Sequence, residues 1–377
     1  MIKVVRFYNA KDKVMKGNGG LMYTCSVIMA GGGGTRFWPL SRKSRPKQYL
    51  NLTGSNCLIN QTIKRQDPII PAGDTFIVTA KSQMNLLKKV LIKDVPQENI
   101  FLEGVGRNTA PCILYAAMKI YKKYGDAIMC VFPSDHYITD EVEFRRVLHK
   151  ACEAARSSRS LITIGIKPTH PSTGFGYIQY NPYMEGEHGY EVLRFVEKPS
   201  YEKASSYISS GSYLWNSGMF IWRISVILES FQRFLPSIYE PLDKIQDVLW
   251  TNQEEAVLDE LYPRLPSISI DYGIMEKASN VQVLPGSFGW SDVGSWDSLS
   301  AIIPPDNNGN VVQADHLSLD TKNTIVYGNK KLIATVGLQD MIVVSLEDST
   351  LICPKSRAQD VKNIVSILEQ NNRFDIL

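Results

Sequence analysis

The chain has 377 residues, of which 44% are hydrophobic and 21% are charged. These fractions are typical of soluble globular proteins and exclude a disordered or fibrous chain. Its 41 basic and 38 acidic residues leave a net charge of only +3, which is too weak and too mixed to indicate binding to nucleic acid or to an anionic membrane. The length predicts two or three structural units, and small anionic ligands remain open as partners.

The sequence gives no sign of export or of membrane insertion. No stretch reaches the roughly 18 consecutive apolar residues that a membrane-spanning helix needs, and residues 1–21 lack the apolar segment of a signal peptide. The six cysteines are scattered, without a Cys-x-x-Cys pair or histidines at zinc-binding spacing. We therefore expect a cytoplasmic protein with reduced thiols, and we expect residues 1–21 to be a flexible extension outside the fold.

From Tyr23 onwards, short apolar runs alternate with helical patterns. The predicted strands are 23–29, 75–80, 99–103, 127–132 and 161–166. The predicted helices between them are 84–92, 110–124 and 141–155. This alternation is typical of crossover units on a mostly parallel sheet. Residues 177–222 indicate a mixed sheet and 225–261 are mainly helical, so we predict a Rossmann-like α/β fold with helices flanking a mostly parallel to mixed sheet.

A link rich in proline and asparagine at 302–310 ends this first unit. Beyond it, short β-branched segments separated by turn residues predict a small β-rich, β-helix-like domain. Apolar residues at helical spacing over 361–368 predict a closing helix. The predicted organisation is therefore an extension (1–21), a large α/β domain (22–302) and a small β-rich domain with a terminal helix (303–377).

A run of four glycines, Gly31 to Gly34, follows the first predicted strand and continues into Thr35 and Arg36. Residues without a Cβ atom let backbone amides approach a ligand closely, and such amides beside an arginine suit a phosphate. The run lacks both the ending of a Walker motif and the glycine spacing of a dinucleotide fingerprint. Phosphate binding is the interpretation we favour, and a flexible turn is the alternative.

Several basic residues follow in the same loop and strengthen the phosphate interpretation. A triphosphate carries up to about four negative charges, so a cluster of cations near it is physically reasonable. Lys47, held by Pro46 and followed by a predicted strand, is the strongest candidate after Arg36. At least one of the remaining three is expected to be solvated surface: Arg42, Lys43 and Arg45.

Two aspartates have the surroundings expected of magnesium ligands. Asp135 follows the predicted strand 127–132, and the carboxyl ends of parallel strands line the ligand crevice of an open α/β sheet. Asp292 lies in a loop flanked by two tryptophans and two glycines. Carboxylates suit Mg²⁺, whose other ligands nucleotide phosphates can supply. The alternatives are a capping role for Asp135 and a structural role for Asp292; Asp271 is a weaker candidate, and His136 is expected to be structural.

Two other segments carry polar residues beside predicted elements. In Arg107-Asn108-Thr109, either Asn108 or Thr109 can cap the following helix. Glu197 and Lys198 end a strand, where regular alternation would point them to opposite faces. An exposed ion pair is the alternative interpretation of these two residues.

Residues 31–42 and 46–48 resemble the signature of mannose-1-phosphate guanylyltransferases. They read Gly-Gly-Gly-Gly-Thr-Arg-Phe-Trp-Pro-Leu-Ser-Arg and Pro-Lys-Gln, a long and specific pattern. The resemblance covers residues 23–370 and implies a nucleotide-diphospho-sugar transferase fold. Glu103-Gly104 departs from the Glu-Pro pair that is usual before the Arg-Asn-Thr segment.

The resemblance also implies roles for individual residues. The implied catalytic residues are Arg36, Lys47, Asp135 and Asp292, the last two also as ligands of Mg²⁺. The implied nucleotide-binding residues are Gly31, Gly32, Gly34, Thr35, Arg36, Arg107, Asn108, Thr109 and Ser134. The implied sugar-phosphate site consists of Gly176, Tyr177, Glu197, Lys198 and Asn216.

The implied reaction is in-line attack of mannose 1-phosphate on the α-phosphorus of GTP, giving GDP-mannose and pyrophosphate. Because the nucleophile is already anionic, alignment and charge stabilisation suffice without a general base. The resemblance also implies a homodimer, through the small domain. We expect no isomerase activity, because the sequence ends at Leu377 without the cupin-like domain of longer bifunctional relatives. A nucleotidyltransferase for another base or sugar, such as a manno-heptose 1-phosphate, and a non-catalytic nucleotide-sugar sensor remain as alternatives.

Overall fold

The computed structural model describes residues 22–52, 54 and 56–377, so the predicted extension 1–21 lies outside the described residues. The first part of the chain contains the strands β1 (Thr24–Ala30), β2 (Thr75–Ala80), β3 (Ile100–Glu103), β4 (Ile128–Pro133), β5 (Tyr137–Ile138), β6 (Leu161–Ile166), β7 (Tyr177–Gly186), β8 (Gly189–Val196), β9 (Tyr213–Arg223), β10 (Val281–Gly286) and β11 (Trp290–Ser291). Its helices are α1 (Leu58–Arg65), α2 (Met84–Val90), α3 (Thr109–Tyr124), α4 (Glu141–Ser157), α5 (Tyr201–Ser210), α6 (Ile224–Phe234), α7 (Pro236–Asp243) and α8 (Glu254–Leu261). These bounds confirm the predicted α/β fold.

Within the described residues, nine of these strands form one mixed sheet in the order β3-β2-β1-β4-β9-β6-β10-β8-β7. β3, β2, β1 and β4 are parallel, and β6 is parallel to β10. β9 runs antiparallel to both β4 and β6, and β7 and β8 form an antiparallel hairpin at the edge. The parallel half places the carboxyl ends of β1, β3 and β4 at one edge of the sheet, where ligand crevices of such folds lie.

Helices cover both faces of the sheet. On one face, α3 and α6 pack through a core that includes Ile113, Ile227 and the fully buried Trp222. On the other face, α4 packs against Ile164 of β6 through Phe144 and its neighbours at helical spacing. None of the helices in the described part of the chain is long and apolar enough to span a membrane.

The pairing of β5 with β11 connects two loops at the sheet edge. Ile138 pairs with Trp290 and Tyr137 with Ser291, in antiparallel register. Asp135 precedes β5 and Asp292 follows β11, so this pairing brings the two aspartate loops side by side. Residues more than 150 positions apart in the sequence are thereby juxtaposed by a pair of two-residue strands.

The last part of the chain is the small β-rich domain that the sequence predicts. Its strands are β12 (Val311–Gln313), β13 (His316–Leu319), β14 (Ile325–Gly328), β15 (Ile333–Val336), β16 (Met341–Ser345) and β17 (Thr350–Pro354). β12, β14 and β16 pair in parallel, as do β13 and β15, which is the stacking of a β-helix. Helix α9 (Val361–Gln370) follows, as its apolar spacing predicts.

The small domain shares a core with the glycine-loop region. Phe37 and Leu50 pack in one cluster with Val311, Ile342 and Val365. The indole of Trp38 also donates a hydrogen bond to the carbonyl oxygen of Ile376 at 2.8 Å. The small domain therefore supports the back of the loop that carries the predicted phosphate-binding residues.

Candidate active site

The glycine loop packs closely against Lys47. Gly34 has a φ angle of +61°, and a Cβ atom there would lie 2.2 Å from the Cβ atom of Lys47. Both the left-handed conformation and the close approach therefore require glycine. At Gly32 and Gly33 a Cβ atom would meet nothing within 4 Å. The loop thus packs against the lysine on one side and is open on the other, as a loop that binds a ligand must be.

Lys47 is buried where three separate segments meet. Lys47 begins a 3-10 turn, Lys47–Tyr49, so the prediction of a strand after Lys47 is wrong. Pro46 and the inward packing of Gln48 and Tyr49 favour a turn there. The ammonium lies 2.8 Å from Oδ2 of Asp135 and donates a hydrogen bond to the backbone carbonyl of Asp292 at 2.5 Å.

The two aspartates beside Lys47 differ in acidity. Burial raises the pKa of Asp135, but the positive charge of Lys47 outweighs it, so the pKa lies below its ordinary value. Burial raises the pKa of Asp292, and the negative charge of Asp135 raises it further. One carboxylate is therefore firmly ionised, and the second sits where an additional positive charge would be stabilised.

His136 has a structural role, in agreement with the sequence. Its Nδ1 atom accepts a hydrogen bond from the indole of Trp290 at 3.1 Å. Burial lowers the pKa of His136 to about 4, which keeps the ring neutral so that Nδ1 can accept. The buried guanidinium of Arg65 donates to the backbone carbonyl of His136 at 2.9 Å. These contacts fix the loop that carries Asp135.

The other basic residues of the loop separate into two groups. Arg36 is exposed and lies close enough to Asp292 for its positive charge to lower the pKa of that carboxyl. Arg42 instead donates to Asp348 at 2.8 Å, and Lys43 pairs with Glu369 at 2.7 Å. Both of these partners belong to the small domain. Arg42 therefore joins the two units, whereas Lys43, with 62% of its side chain exposed, pairs at the surface, and Arg45 is exposed as expected for at least one of the three.

The Arg-Asn-Thr segment lies at the start of α3. Asn108 caps the helix by accepting from the backbone amide of Thr109 at 2.8 Å. The hydroxyl of Thr109 accepts from the amide of Ile270 at 2.8 Å. Arg107 donates to the carbonyl oxygen of Pro263. The structure thus assigns the cap to Asn108 and leaves Thr109 as the link to the segment around Asp271.

Glu103 is a buried residue at this edge whose importance the sequence analysis missed. It ends β3 and accepts a hydrogen bond from the hydroxyl of Tyr262. A Cβ atom at Gly31 would lie 3.9 Å from its carboxylate, so Glu103 borders the glycine loop. Its place at the carboxyl end of a parallel strand was a signal that could have identified it. Ser134 lies at the same edge and is buried.

Several of the predicted sugar-phosphate residues form a second cluster. A Cβ atom at Gly176 would lie 2.6 Å from Oε2 of Glu197 and 3.5 Å from Cβ of Asn216, so Gly176 directly faces both residues. Tyr177 is fully buried, and its hydroxyl donates to the carbonyl oxygen of Ser172, which leaves only its backbone near this cluster. Lys198 pairs with Glu197.

The pairing of Glu197 with Lys198 departs from the alternation of a regular strand. β8 ends at Val196, and Lys198 has a φ angle of +41°, so the chain turns after the strand and brings the two side chains together. Most of the Lys198 side chain, 62%, is exposed. Its ammonium is therefore accessible to an anionic ligand at the rim of the cluster.

Comparisons with known proteins show which families and relatives this chain is similar to. Residues 25–308 match the family model described as nucleotidyl transferase, and residues 314–368 match the model described as MannoseP isomerase/GMP-like beta-helix domain. The chain is 40% identical to the xanthan biosynthesis protein XanB of Xanthomonas campestris pv. campestris over 93% of this chain and 74% of that protein. It is 37% identical to the mannose-1-phosphate guanylyltransferase of Escherichia coli K12, with the same shares of the two chains.

A solved structure from Thermus thermophilus is similar over almost the whole fold. It is named mannose-1-phosphate geranyltransferase, has a TM-score of 0.84 and is 36% identical. The similarity covers 92% of this chain and all of that chain, 100%. The similarity therefore includes both the mixed sheet and the small β-rich domain.

Proposed function

The chain belongs to the nucleotidyl transferase family, and we propose that it transfers GMP from GTP to α-D-mannose 1-phosphate, releasing pyrophosphate. This proposal rests mainly on one observation: Lys47 contacts both Asp135 and Asp292 beside an open glycine loop. The similarity to a mannose-1-phosphate guanylyltransferase over 93% of this chain supports the choice of base and sugar.

The proposed reaction is an in-line displacement at the α-phosphorus of GTP. A phosphate oxygen of mannose 1-phosphate forms a bond to this phosphorus, and the bond between the phosphorus and the oxygen that bridges to the β-phosphate breaks. The departing pyrophosphate takes the electron pair. The attacking oxygen is already anionic, so no proton has to move and no general base is needed. The site must supply alignment and positive charge.

The residues of the glycine loop supply that charge and alignment. Open backbone at Gly32 and Gly33 lets amides approach the phosphates. Arg36 is exposed close after these glycines, and Lys47 is fixed by its hydrogen bond to the backbone of Asp292. Both cations are placed to stabilise charge that develops on the departing pyrophosphate. Preorganised charges of this kind cost no reorganisation during the reaction.

Mg²⁺ is the proposed cofactor, with Asp135 and Asp292 as the residues that would hold it. A cation already occupies the space between these two residues: the ammonium of Lys47 lies 2.8 Å from the carboxylate of Asp135 and bonds to the backbone carbonyl of Asp292. Across the described residues, no group of three or more His, Cys, Asp or Glu side chains is placed to hold a metal. In this proposal the two aspartates are the protein ligands, and nucleotide phosphates and water fill the remaining positions. When bound, the metal neutralises charge on the phosphates.

The sugar phosphate occupies the far end of the crevice in this proposal. Lys198 binds its phosphate, because its ammonium is accessible there. Glu197 and Asn216 bind hydroxyl groups of the sugar beside Gly176. The nucleotide base lies near the start of α3, where Arg107, Asn108 and Thr109 are located.

The proposed assembly is a cytoplasmic homodimer that pairs through the small domain. The outer face of the β13–β15 pair supports it, because Leu317 and Leu319 are 63% and 60% exposed and Val336 is 69% exposed. Leu319 lies directly opposite Val336 in the parallel register, so these side chains form one apolar surface. Such a surface favours association with another protein surface.

A coupled assay of pyrophosphate release tests the proposed function. The protein is supplied with Mg²⁺ and each combination of GTP, ATP, UTP or dTTP with mannose 1-phosphate, glucose 1-phosphate or manno-heptose 1-phosphate. We expect GTP with mannose 1-phosphate to give the highest kcat/KM. A higher value for another pair would reassign the substrate, and no release with any pair would reject nucleotidyl transfer.

A further inference from the structure

Asp271 lies next to the residues that are proposed to bind the sugar. It begins a five-residue π-helical turn, Asp271–Met275, a conformation that often occurs at functional sites. Its Oδ1 atom accepts a hydrogen bond from the side-chain amide of Asn216 at 2.7 Å. Asn216 in turn accepts from the amide of Gly218 at 3.1 Å through its own carbonyl oxygen. Both ends of the Asn216 amide are therefore held, and the carboxylate of Asp271 is fixed beside it.

The position of Asp271 is rigid. In the π-helical turn, Gly273, Ile274 and Met275 are buried, and a Cβ atom at Gly273 would lie 2.6 Å from the side chain of Leu235. The amide of Ile270 donates to the hydroxyl of Thr109, and the amide of Ala110 donates to the carbonyl oxygen of Ile268 at 3.1 Å. The segment before Asp271 is thus tied to the start of α3, where the nucleotide is proposed to bind.

The charges around Asp271 belong to the sugar site. Burial raises the pKa of Asp271, and the negative charge of Glu197 raises it further, whereas the charge of Lys198 lowers it. In the part of the chain that the structure describes, it does not join Asp135 and Asp292 in a cluster that could hold a metal. Asp271 therefore belongs with Glu197 and Asn216 rather than with the two metal-binding candidates.

A structural role alone does not explain a carboxylate at this position. Two donors, the Asn216 side-chain amide and the backbone amide of Asp271 itself, compensate only part of the cost of burying a negative charge, and a neutral acceptor would hold the Asn216 amide equally well. A carboxylate can accept about four hydrogen bonds through its two oxygens. Acceptor capacity beyond Asn216 suits a ligand that brings its own hydroxyl donors.

We propose that Asp271 is a specificity-determining residue of the sugar site: Oδ1 positions Asn216, and the carboxylate accepts a hydrogen bond from one hydroxyl group of the sugar ring. This inference rests on the proposed function, since it assumes a sugar phosphate as acceptor. It gives the site two carboxylates, Glu197 and Asp271, on either side of Asn216. A site built to accept hydrogen bonds from hydroxyls rejects analogues that lack them.

The test compares mannose 1-phosphate with its 2-, 3-, 4- and 6-deoxy analogues in wild-type protein, Asp271→Asn and Asp271→Ser, with saturating GTP. Asp271→Ser keeps a neutral acceptor for the Asn216 amide. Loss of a hydrogen bond to a charged acceptor predicts that wild-type kcat/KM falls about 10- to 100-fold on the analogue that lacks the hydroxyl bound by Asp271. In both variants the KM for mannose 1-phosphate rises by a similar factor, and the penalty for removing that hydroxyl falls to about twofold or less.

The matched control is Glu276→Gln, an exposed carboxylate just after the same turn, which should retain the wild-type pattern. The KM for GTP should stay within about twofold in all variants, because the nucleotide site is untouched. If the Asp271 variants keep the full deoxy penalty, or if both fail to fold, the inference is wrong and the residue is structural. If wild-type protein uses another sugar phosphate, the proposed substrate fails, and the same comparison with deoxy analogues of that sugar still tests Asp271.

Discussion

Lys47 connects the glycine loop to both aspartates. Lys47 is only 5% exposed, and its ammonium contacts Asp135 and the backbone of Asp292. Because the position is fixed by packing, the charge is already in place before substrate binds. A fixed charge in a site shielded from water stabilises a transition state more strongly than a mobile surface charge.

Lys47→Met should therefore reduce turnover far more than it reduces binding. We expect kcat to fall by about 10² or more, the scale of losing one preorganised electrostatic contact. Lys43→Ala is the matched control, since Lys43 lies in the same loop but pairs with Glu369 of the small domain. Steady-state kinetics of both variants would decide the matter, and a Lys47→Met enzyme with nearly normal kcat would contradict the role.

Glu103 is a second residue whose environment has a measurable consequence. Burial raises the pKa of its carboxyl from 4.5 to about 7, although the hydrogen bond from Tyr262 acts in the opposite direction. The folded state therefore holds a proton that the unfolded state releases between about pH 4.5 and pH 7. Stability from this proton is fully present below pH 4.5 and is lost as the pH rises through 7.

Glu103→Gln should remove this pH dependence. Between pH 5 and pH 8 the wild-type protein should lose on the order of 2 kcal/mol of unfolding free energy relative to the variant, since each pKa unit corresponds to about 1.4 kcal/mol. Taking the difference between the two proteins cancels the contributions of other titrating groups. Thermal melting at several pH values measures it, with the exposed Glu98→Gln as control. Parallel melting curves for wild type and Glu103→Gln would show that Glu103 is not perturbed.

At this scale the sequence identified the residue types but not their contacts. Lys47, Asp135 and Asp292 could be selected because each follows a strand or a glycine-rich loop. The hydrogen bond from Lys47 to the Asp292 carbonyl joins residues 245 positions apart, and no local pattern encodes it. The pairing of Asp271 with Asn216 is equally non-local. Glu103 was missed because its burial depends on Tyr262, which lies far along the chain.

Among the elements, the glycine loop depends on the small domain for support. Trp38 donates to the carbonyl of Ile376 through its indole, and the indole of Trp296 donates to the carbonyl of Trp38 at 2.9 Å. Two tryptophans thus fix the backbone just after Arg36. This arrangement explains why the loop can be rich in glycine on its ligand side and still be held in place.

Trp38→Phe should loosen this support while keeping an aromatic ring. The loss of one hydrogen bond should cost about 1 kcal/mol of stability. A small displacement of Arg36 should lower kcat/KM for GTP by about 10-fold, because catalysis is sensitive to misplacement of this size. Trp250→Phe is the matched control, since its indole bonds to the carbonyl of Lys119 far from the loop. Equal activity in the two variants would mean that the tryptophan supports only the fold.

Most elements could be predicted because their patterns are strong. The strands Thr75–Ala80 and Leu161–Ile166 were predicted with their observed bounds, since both are continuous apolar runs. The turn at Lys47–Tyr49 could not be, because inward packing of Gln48 and Tyr49 outweighs local β propensity. The pairing of β5 with β11 could not be predicted from the sequence either, because strands of two residues show no periodicity.

For the whole molecule, the shared core makes the two units interdependent. Phe37 and Leu50 of the loop region pack with Val311 and Ile342 of the small domain, and Arg42 reaches Asp348 across the same boundary. In the proposed function the nucleotide binds at the glycine loop, and the sugar phosphate binds beside Glu197 and Lys198. Two neighbouring sites suit a reaction that joins the sugar phosphate to the α-phosphate of GTP and releases the β- and γ-phosphates as pyrophosphate.

The most direct test of guanylyl transfer follows the fate of labelled phosphorus. The protein is incubated with mannose 1-phosphate, Mg²⁺ and GTP that carries ³²P at either the α or the γ position. We expect the α label to appear in GDP-mannose and the γ label in pyrophosphate, and neither transfer should occur without mannose 1-phosphate. Release of the γ label as inorganic phosphate, with the α label retained in GDP, would contradict the account.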